Sequence, residues 1–261
     1  MKLAILCGGY GTRIRDVADN IPKPMIPIGG YPILWHIMKY YAHFGHNDFL
    51  LCLGYKGSVI KDYFLNYKIH NSDFTIDLSG QKDIQYLDGT CELDWKVTLA
   101  ETGTNAMTGA RVKRIQKYLS GEDNFMLTYG DGVGDVDLEK LVDFHLSHGK
   151  ILTVTGVRPP GRFGELNCDA NGQVTEFNEK PQASGGRISG GFFVCRSEIF
   201  SYLPDREDLV FEIDPIRQLV REGQMMVFEH DGFWQPMDTF RDYKLLNDTY
   251  EKGEAPWVLW R

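Results

Sequence analysis

The run Leu3-Ala-Ile-Leu-Cys7 is a short apolar strand that leads without a spacer into Gly8-Gly9-Tyr10-Gly11-Thr12-Arg13. Few chains can place a glycine-dense turn there for nothing. Glycines at 8, 9 and 11 let the backbone come close to a ligand and aim successive N–H groups inward, and Arg13 adds a planar fork of donors. This turn suits a phosphate chain. It is not a Walker A loop, because no Gly-Lys-Ser/Thr follows, and it lacks Gly-x-Gly-x-x-Gly, the dinucleotide fingerprint. A tight turn with no ligand is the plainer alternative.

Beyond the turn the apolar period switches back and forth. Ile33 to Phe44 carries Ile33, Leu34, Ile37, Met38, Tyr41 and Ala42 at helical spacing, and Phe49-Leu-Leu-Cys-Leu53 reads as a buried strand. Val59 to Tyr67 predicts a second helix, Phe125 to Tyr129 a third strand, Leu138 to His148 another helix and Ile151 to Val157 another strand. Such alternation means an α/β fold with a mainly parallel sheet flanked by helices. Between Phe74 and Thr102 the short alternating segments, with Asp88-Gly89 as the turn, predict a hairpin or edge excursion. A second small β excursion is expected at Gly161 to Val194, turning at Asp169-Ala-Asn-Gly172. The chain reads as one domain over residues 1–261, its tail from Trp234 to Arg261 packing on the core or serving an oligomer interface.

A formal charge of -8 argues against a general nucleic-acid binder, so an anionic ligand must be held by a few local cations. Cysteines at 7, 52, 91, 168 and 195 are odd in number with no Cys-x-x-Cys, against both a disulfide framework and a thiolate zinc site. With no signal core and no apolar run of membrane-spanning length, a cytoplasmic protein with no membrane contact is expected.

Ligands of open parallel sheets bind beyond the carboxyl ends of the strands. Three places then matter: the turn at 8–13, Asp131 after the third strand, and Asp238 in Gln235-Pro-Met-Asp238. Two carboxylates facing an oxygen-rich ligand can hold Mg2+, which completes its shell with water and phosphate oxygens. Lys23 stands between two prolines and Lys180 precedes Pro181, so both amines sit on stiffened chain. Each of these residues taken singly is also compatible with an ordinary turn or a solvated surface.

The segments GGYGTR, KPMIPIGGYPILWHIMKYY, TYGDGVGD, PPGRFGEL, FNEKP, GGFFV and GFWQPMD together resemble the sugar-1-phosphate nucleotidyltransferases, and PPGRFG with GFWQPMD points to the cytidylyl branch of that family. The likeness spans nearly the whole chain. It implies a Rossmann-like mixed sheet and transfer of CMP from CTP to glucose 1-phosphate, giving CDP-glucose and pyrophosphate. It also implies a homo-oligomer, a hexamer being one form, and a role in polysaccharide synthesis. By the same resemblance Leu6, Cys7, Gly8, Gly9, Tyr10, Gly11, Thr12, Arg13, Lys23, Thr108, Gly109, Arg111 and Gly130 would meet the nucleotide. Tyr129, Glu179, Lys180, Gly190 and Gly191 would meet the sugar phosphate, and Asp131 with Asp238 would hold Mg2+. Arg13, Lys23 and Lys180 would be the catalytic cations. Ile14 replaces the leucine that usually closes the family's loop.

A sugar 1-phosphate is already ionised near neutral pH, so its oxygen can attack the α-phosphorus without a general base. No catalytic histidine is needed. His43, His46, His145 and His148 accordingly read as helix-surface or helix-end residues, and His36 and His230 as structural. Transfer from UTP or dTTP, and a catalytically silent nucleotide-sugar binding domain, are the competing readings. An NAD-dependent oxidoreductase is disfavoured by the missing fingerprint.

Overall fold

A computed structural model describes residues 1–11, 14, 21–79, 83–89, 94–159, 165–168, 173–178 and 186–260. Seven strands form the central sheet: β1 (Leu3–Leu6), β2 (Asp48–Leu53), β3 (Lys96–Glu101), β4 (Asn124–Tyr129), β5 (Leu152–Val157), β6 (Ile188–Arg196) and β7 (Met225–His230). Their spatial order is β7-β5-β6-β4-β1-β2-β3, and only β6 runs antiparallel to its neighbours. The helices are α1 (Ile33–His43), α2 (Gly57–Leu65), α3 (Tyr67–His70), α4 (Thr108–Arg114), α5 (Leu138–His148), α6 (Asp214–Arg221) and α7 (Phe240–Glu251).

All four residues of β1 are buried because both faces of the sheet are covered. Leu3 and Ile5 point into one apolar cluster with Ile33, Ile37 and Met38 of α1 and Leu138 and Leu141 of α5. Ala4 and Leu6 point the other way, to a second cluster with Ala110 and Val112 of α4 and Leu219 of α6. One strand thus serves two cores through the period-two alternation of its side chains.

The predicted α/β sheet is present, and α5 has the predicted bounds. Two local expectations need correction. Asp88 and Gly89 do not make the hairpin turn but lie inside the strand Asp83–Gly89, which pairs with Ser72–Asp77. The turn starts where the Asp77 carboxylate accepts from Ser79 N at 2.8 Å and from Ser79 Oγ at 2.6 Å, an Asx turn that competes well with Asp-Gly. Lys96–Glu101 is not part of an excursion either. It is β3, in parallel register with β2 from Asp48↔Lys96 to Leu53↔Glu101, and its weak alternation is that of an edge strand. The second excursion is a hairpin of Glu165–Cys168 with Val174–Asn178, and residues 169–172 lie outside the described residues.

The tail returns to the core. Trp257 is fully buried and its ring stacks on Phe233 at 5.5 Å, while its indole nitrogen lies 3.4 Å from Nδ1 of buried His36. His36 Nε2 lies 2.8 Å from the carbonyl oxygen of Ile28. A carbonyl can only accept and an indole N–H can only donate, so His36 is neutral with its proton on Nε2. His145 is likewise a core residue and not a surface one, bonded through Nδ1 to Thr153 Oγ1 at 2.8 Å, since Thr153 and Asn124 supply polar partners inside the sheet.

Burial pulls the His36 pKa down to about 4, against the opposing bond to Ile28. Unfolded His36 takes up its proton near pH 6.5, so between there and pH 4 the unfolded chain binds more protons and acid favours it. Urea midpoints measured from pH 7 to pH 5 are expected to fall, and to fall less steeply in His36→Gln.

Candidate active site

Strands are added on one side of β1 by β2 and β3 and on the other by β4, so the chain reverses its winding between β1 and β4. A crevice opens at the carboxyl ends of strands flanking such a reversal. Here the residues that follow β1, Cys7 to Gly11, face those that follow β4, Gly130 and Asp131, with Gly130 N bonded to Leu6 O at 3.1 Å. Between them lies a cavity of about 340 Å³ whose walls include Leu6, Gly8, Gly9, Tyr10 and Lys23. Pro24, Asn105, Ala106, Met107, Thr108, Arg111, Tyr129, Gly130 and Asp131 complete it.

Asp131 in the cavity wall and Asp238, 107 positions apart in sequence, meet at Lys23. The route is a short ladder: Gly132–Gly134 pairs antiparallel with Trp234–Pro236, and Met237 N then bonds Asp131 O at 2.8 Å. Asp238 is held at the start of α7 by its own N–H, which donates to Asp242 at 3.1 Å. Thr239 and Asp242 form a capping box that fixes that corner. Lys23 Nζ donates to Asp131 at 2.7 Å and also to Asp238. Burial works against the ammonium, yet the two carboxylates outweigh it and the Lys23 pKa is raised. Carboxylates that converge on one ammonium are the donor set a small divalent cation would need there. Among the described residues no group of three or more metal-ligating side chains exists. Two carboxylates with open positions fit Mg2+, which keeps water and phosphate oxygens in its shell.

The opposite wall is organised by Arg111, which is 4% exposed. Its terminal nitrogens donate to Leu53 O and Thr102 Oγ1 at 2.9 Å each, to Gly8 O at 3.1 Å and to Thr104 O at 3.3 Å. No carboxylate pairs with it among the described residues, and burial lowers its pKa. Arg111 therefore ties the glycine turn to the ends of β2 and β3. A Cβ on Gly8 would sit 2.2 Å from the guanidinium, which is why glycine occupies that site. Cys7 lies beneath the turn, its thiol pushed well up by burial, and so stays protonated.

Thr108 reaches the cavity at the start of α4, whereas Gly109 does not. Its backbone packs on Leu209, with Gly109 N bonded to Leu209 O at 2.9 Å and a would-be Cβ 2.7 Å from the Leu209 side chain. Tyr129 lines the cavity at the end of β4, and its ring covers Gly191, whose φ of +77° and the 2.4 Å left for a Cβ both demand glycine. Gly190 is buried behind, accepting from Trp234 Nε1 at 2.8 Å. Thr12, Arg13, Glu179 and Lys180 lie outside the described residues. Asn105, Ala106 and Met107 line the cavity without any sequence signal, being small or neutral residues of a loop. Glu212, which bonds Thr108 and Tyr129 from behind, is likewise unmarked by any motif.

The sequence model described as nucleotidyl transferase matches residues 2–253. The chain belongs to the nucleotidyl transferase family. It is 48% identical over 260 residues to the glucose-1-phosphate cytidylyltransferases of Salmonella typhi and Salmonella typhimurium, with 100% of each chain covered. Among solved structures it is similar to HddC from Yersinia pseudotuberculosis complexed with GMP-PN, with a TM-score of 0.67, 24% identity, and 95% and 99% of the two chains covered. That likeness concerns the fold. As a nucleotidyl transferase, the chain has its crevice at the winding reversal where the described part of its glycine motif, Gly8 to Gly11, meets the residues of TYGD.

Within the turn, Arg111 crowds Gly8 and leaves Gly9 open. Gly8→Ala is expected to cost about 1–3 kcal/mol in urea denaturation, since a methyl group must displace a buried guanidinium. Gly9→Ala, with nothing within 4 Å of the added Cβ, is expected to change stability by less than about 0.5 kcal/mol.

Proposed function

We propose that this nucleotidyl transferase moves CMP from CTP to glucose 1-phosphate, forming CDP-glucose and releasing pyrophosphate. The full-length likeness to glucose-1-phosphate cytidylyltransferases carries this reading. The whole chain acts as one catalytic unit in it. The cavity supports it by gathering the glycine turn, Lys23, Arg111 and Asp131 in one wall, with Asp238 bonded to Lys23 beside them.

In this reading the turn from Gly8 to Arg13 receives the triphosphate on its N–H groups, and Thr108 and Arg111 stand at the nucleoside end. Tyr129, Glu179, Lys180, Gly190 and Gly191 form the sugar-phosphate end. Asp131 and Asp238 are assigned to Mg2+, which when bound would neutralise phosphate oxygens of the nucleotide. With Asp131 and Asp238 holding the metal, Lys23 would have its donors free for the nucleotide phosphates.

The sugar phosphate enters as a dianion or monoanion and attacks phosphorus directly, so no residue needs to take a proton from it. Among the described residues no histidine lines the cavity, in keeping with that chemistry. What the protein supplies is position and charge: Arg13, Lys23 and Lys180 bring two mutually repelling anions into line while pyrophosphate leaves. Cytoplasmic location and a homo-oligomer, a hexamer being one form, belong to the same reading. Among the described residues no helix is long and apolar enough to cross a membrane.

Pyrophosphate release from CTP, glucose 1-phosphate and Mg2+ tests the proposal. EDTA is expected to abolish it, and Asp131→Asn to lower kcat by about a hundredfold or more. Equal turnover of UTP would overturn the cytidylyl assignment, and full activity in EDTA the metal assignment.

A further inference from the structure

Glu212 brings a negative charge to the back of a cavity assigned to two polyanions, and no lysine or arginine pairs with it among the described residues. A carboxylate in that place works against substrate binding unless it does something for the wall. Its contacts say what. One oxygen accepts from the phenol of Tyr129, and the other accepts from Thr108 Oγ1 at 2.6 Å. Tyr129 and Thr108 are both wall residues, whereas Glu212 is not.

An ionised carboxylate has no proton to give, so in each of these bonds the hydroxyl must be the donor. Thr108 Oγ1 also accepts from Phe211 N at 2.9 Å. Both hydroxyl protons are therefore spent on Glu212, and what remains on each oxygen is a lone pair. The phenol pKa is raised, by burial first and then by Glu212, which keeps the proton on Tyr129. The backbone holds this arrangement: Met107 N bonds Glu207 O at 2.9 Å, and Gly109 N and Ala110 N bond Leu209 O at 2.9 and 3.2 Å. The segment carrying Glu212 is thereby locked onto the start of α4.

We propose that Glu212 sets the hydrogen-bond polarity of the cavity wall, so that Thr108 and Tyr129 accept a bond from the substrate and cannot donate one. Glu212 is a positioning and specificity residue in this role, acting through two hydroxyls without touching substrate. A wall that only accepts selects a ligand N–H or O–H. In the proposed reaction, on which this inference rests, two groups have that chemistry: the 4-amino group of cytosine, where uracil carries an acceptor oxygen, and the hydroxyls of the sugar.

The test is Glu212→Gln, nearly isosteric with the parent. A glutamine amide accepts from one hydroxyl and donates to the other, so one hydroxyl proton is freed and one acceptor of the wall becomes a donor. If the wall reads the base, the ratio of kcat/KM for CTP over UTP falls about tenfold or more, with KM for glucose 1-phosphate held. If it reads the sugar, KM for glucose 1-phosphate rises about fivefold or more while the CTP to UTP ratio stays. Should Glu212→Gln not fold, Thr108→Val and Tyr129→Phe remove the hydroxyls one at a time and are read by the same two quantities. A uniform loss of kcat with neither quantity moved, or parental values of both, overturns the proposal. Parent enzyme that releases no pyrophosphate from CTP would sink the proposed reaction instead, which keeps the two failures apart.

Discussion

The ammonium of Lys23 reaches two carboxylates that are 107 positions apart in the chain, Asp131 after β4 and Asp238 ahead of α7. Two carboxylates brought to one point repel each other, and the shared ammonium offsets that repulsion. Most of the surrounding structure serves this meeting. The ladder between Gly132–Gly134 and Trp234–Pro236 brings the two segments side by side, the Thr239–Asp242 capping box stops the second from swinging away, and Pro22 and Pro24 stiffen the chain that presents the lysine. The same three groups give the cavity its chemistry, because a cation that holds two carboxylates can be exchanged for another cation, and the lysine then becomes available to an anion.

Arg111 completes the electrostatics from the other wall. Burying a guanidinium is costly, and here the cost is offset by carbonyl and hydroxyl oxygens, not by a carboxylate. Dipoles solvate the charge without cancelling it, so the wall keeps a positive potential where Gly8 begins the turn. This explains how a chain with a formal charge of -8 can present a site for phosphates: the favourable field is local, made by a few placed cations.

Much of this was legible in the sequence, for identifiable reasons. Strands β1, β2 and β4 are continuous apolar runs because both faces of the sheet are covered, and α1 and α5 show a clean helical period because each covers one face of it. β3 escaped notice because an edge strand needs less apolar surface, and the true hairpin turn because Asp77 and Ser79 outcompeted Asp88-Gly89 through side-chain bonds that a dipeptide signal does not weigh. The glycine turn, Lys23 and both aspartates carry local signals: glycine density, flanking prolines, a strand end. Glu212 carries none. Its role arises from a contact with Thr108 and Tyr129 across 104 and 83 positions, and a single carboxylate in a loop looks the same whether or not that contact forms.

Charge and hydrogen-bond direction thus divide the work at the cavity. Cations supply attraction to any phosphate, so Lys23 and Arg111 cannot by themselves tell one nucleotide from another. Discrimination requires a group whose donor and acceptor pattern is fixed, because a free hydroxyl rotates to suit whatever it meets. Glu212 removes that freedom from two wall hydroxyls at once. The electrostatic penalty of placing a carboxylate near polyanions is then the physical reason to expect selectivity there: an uncharged acceptor could hold a hydroxyl, but one that also donates, such as an amide, would leave the direction of its protons undecided.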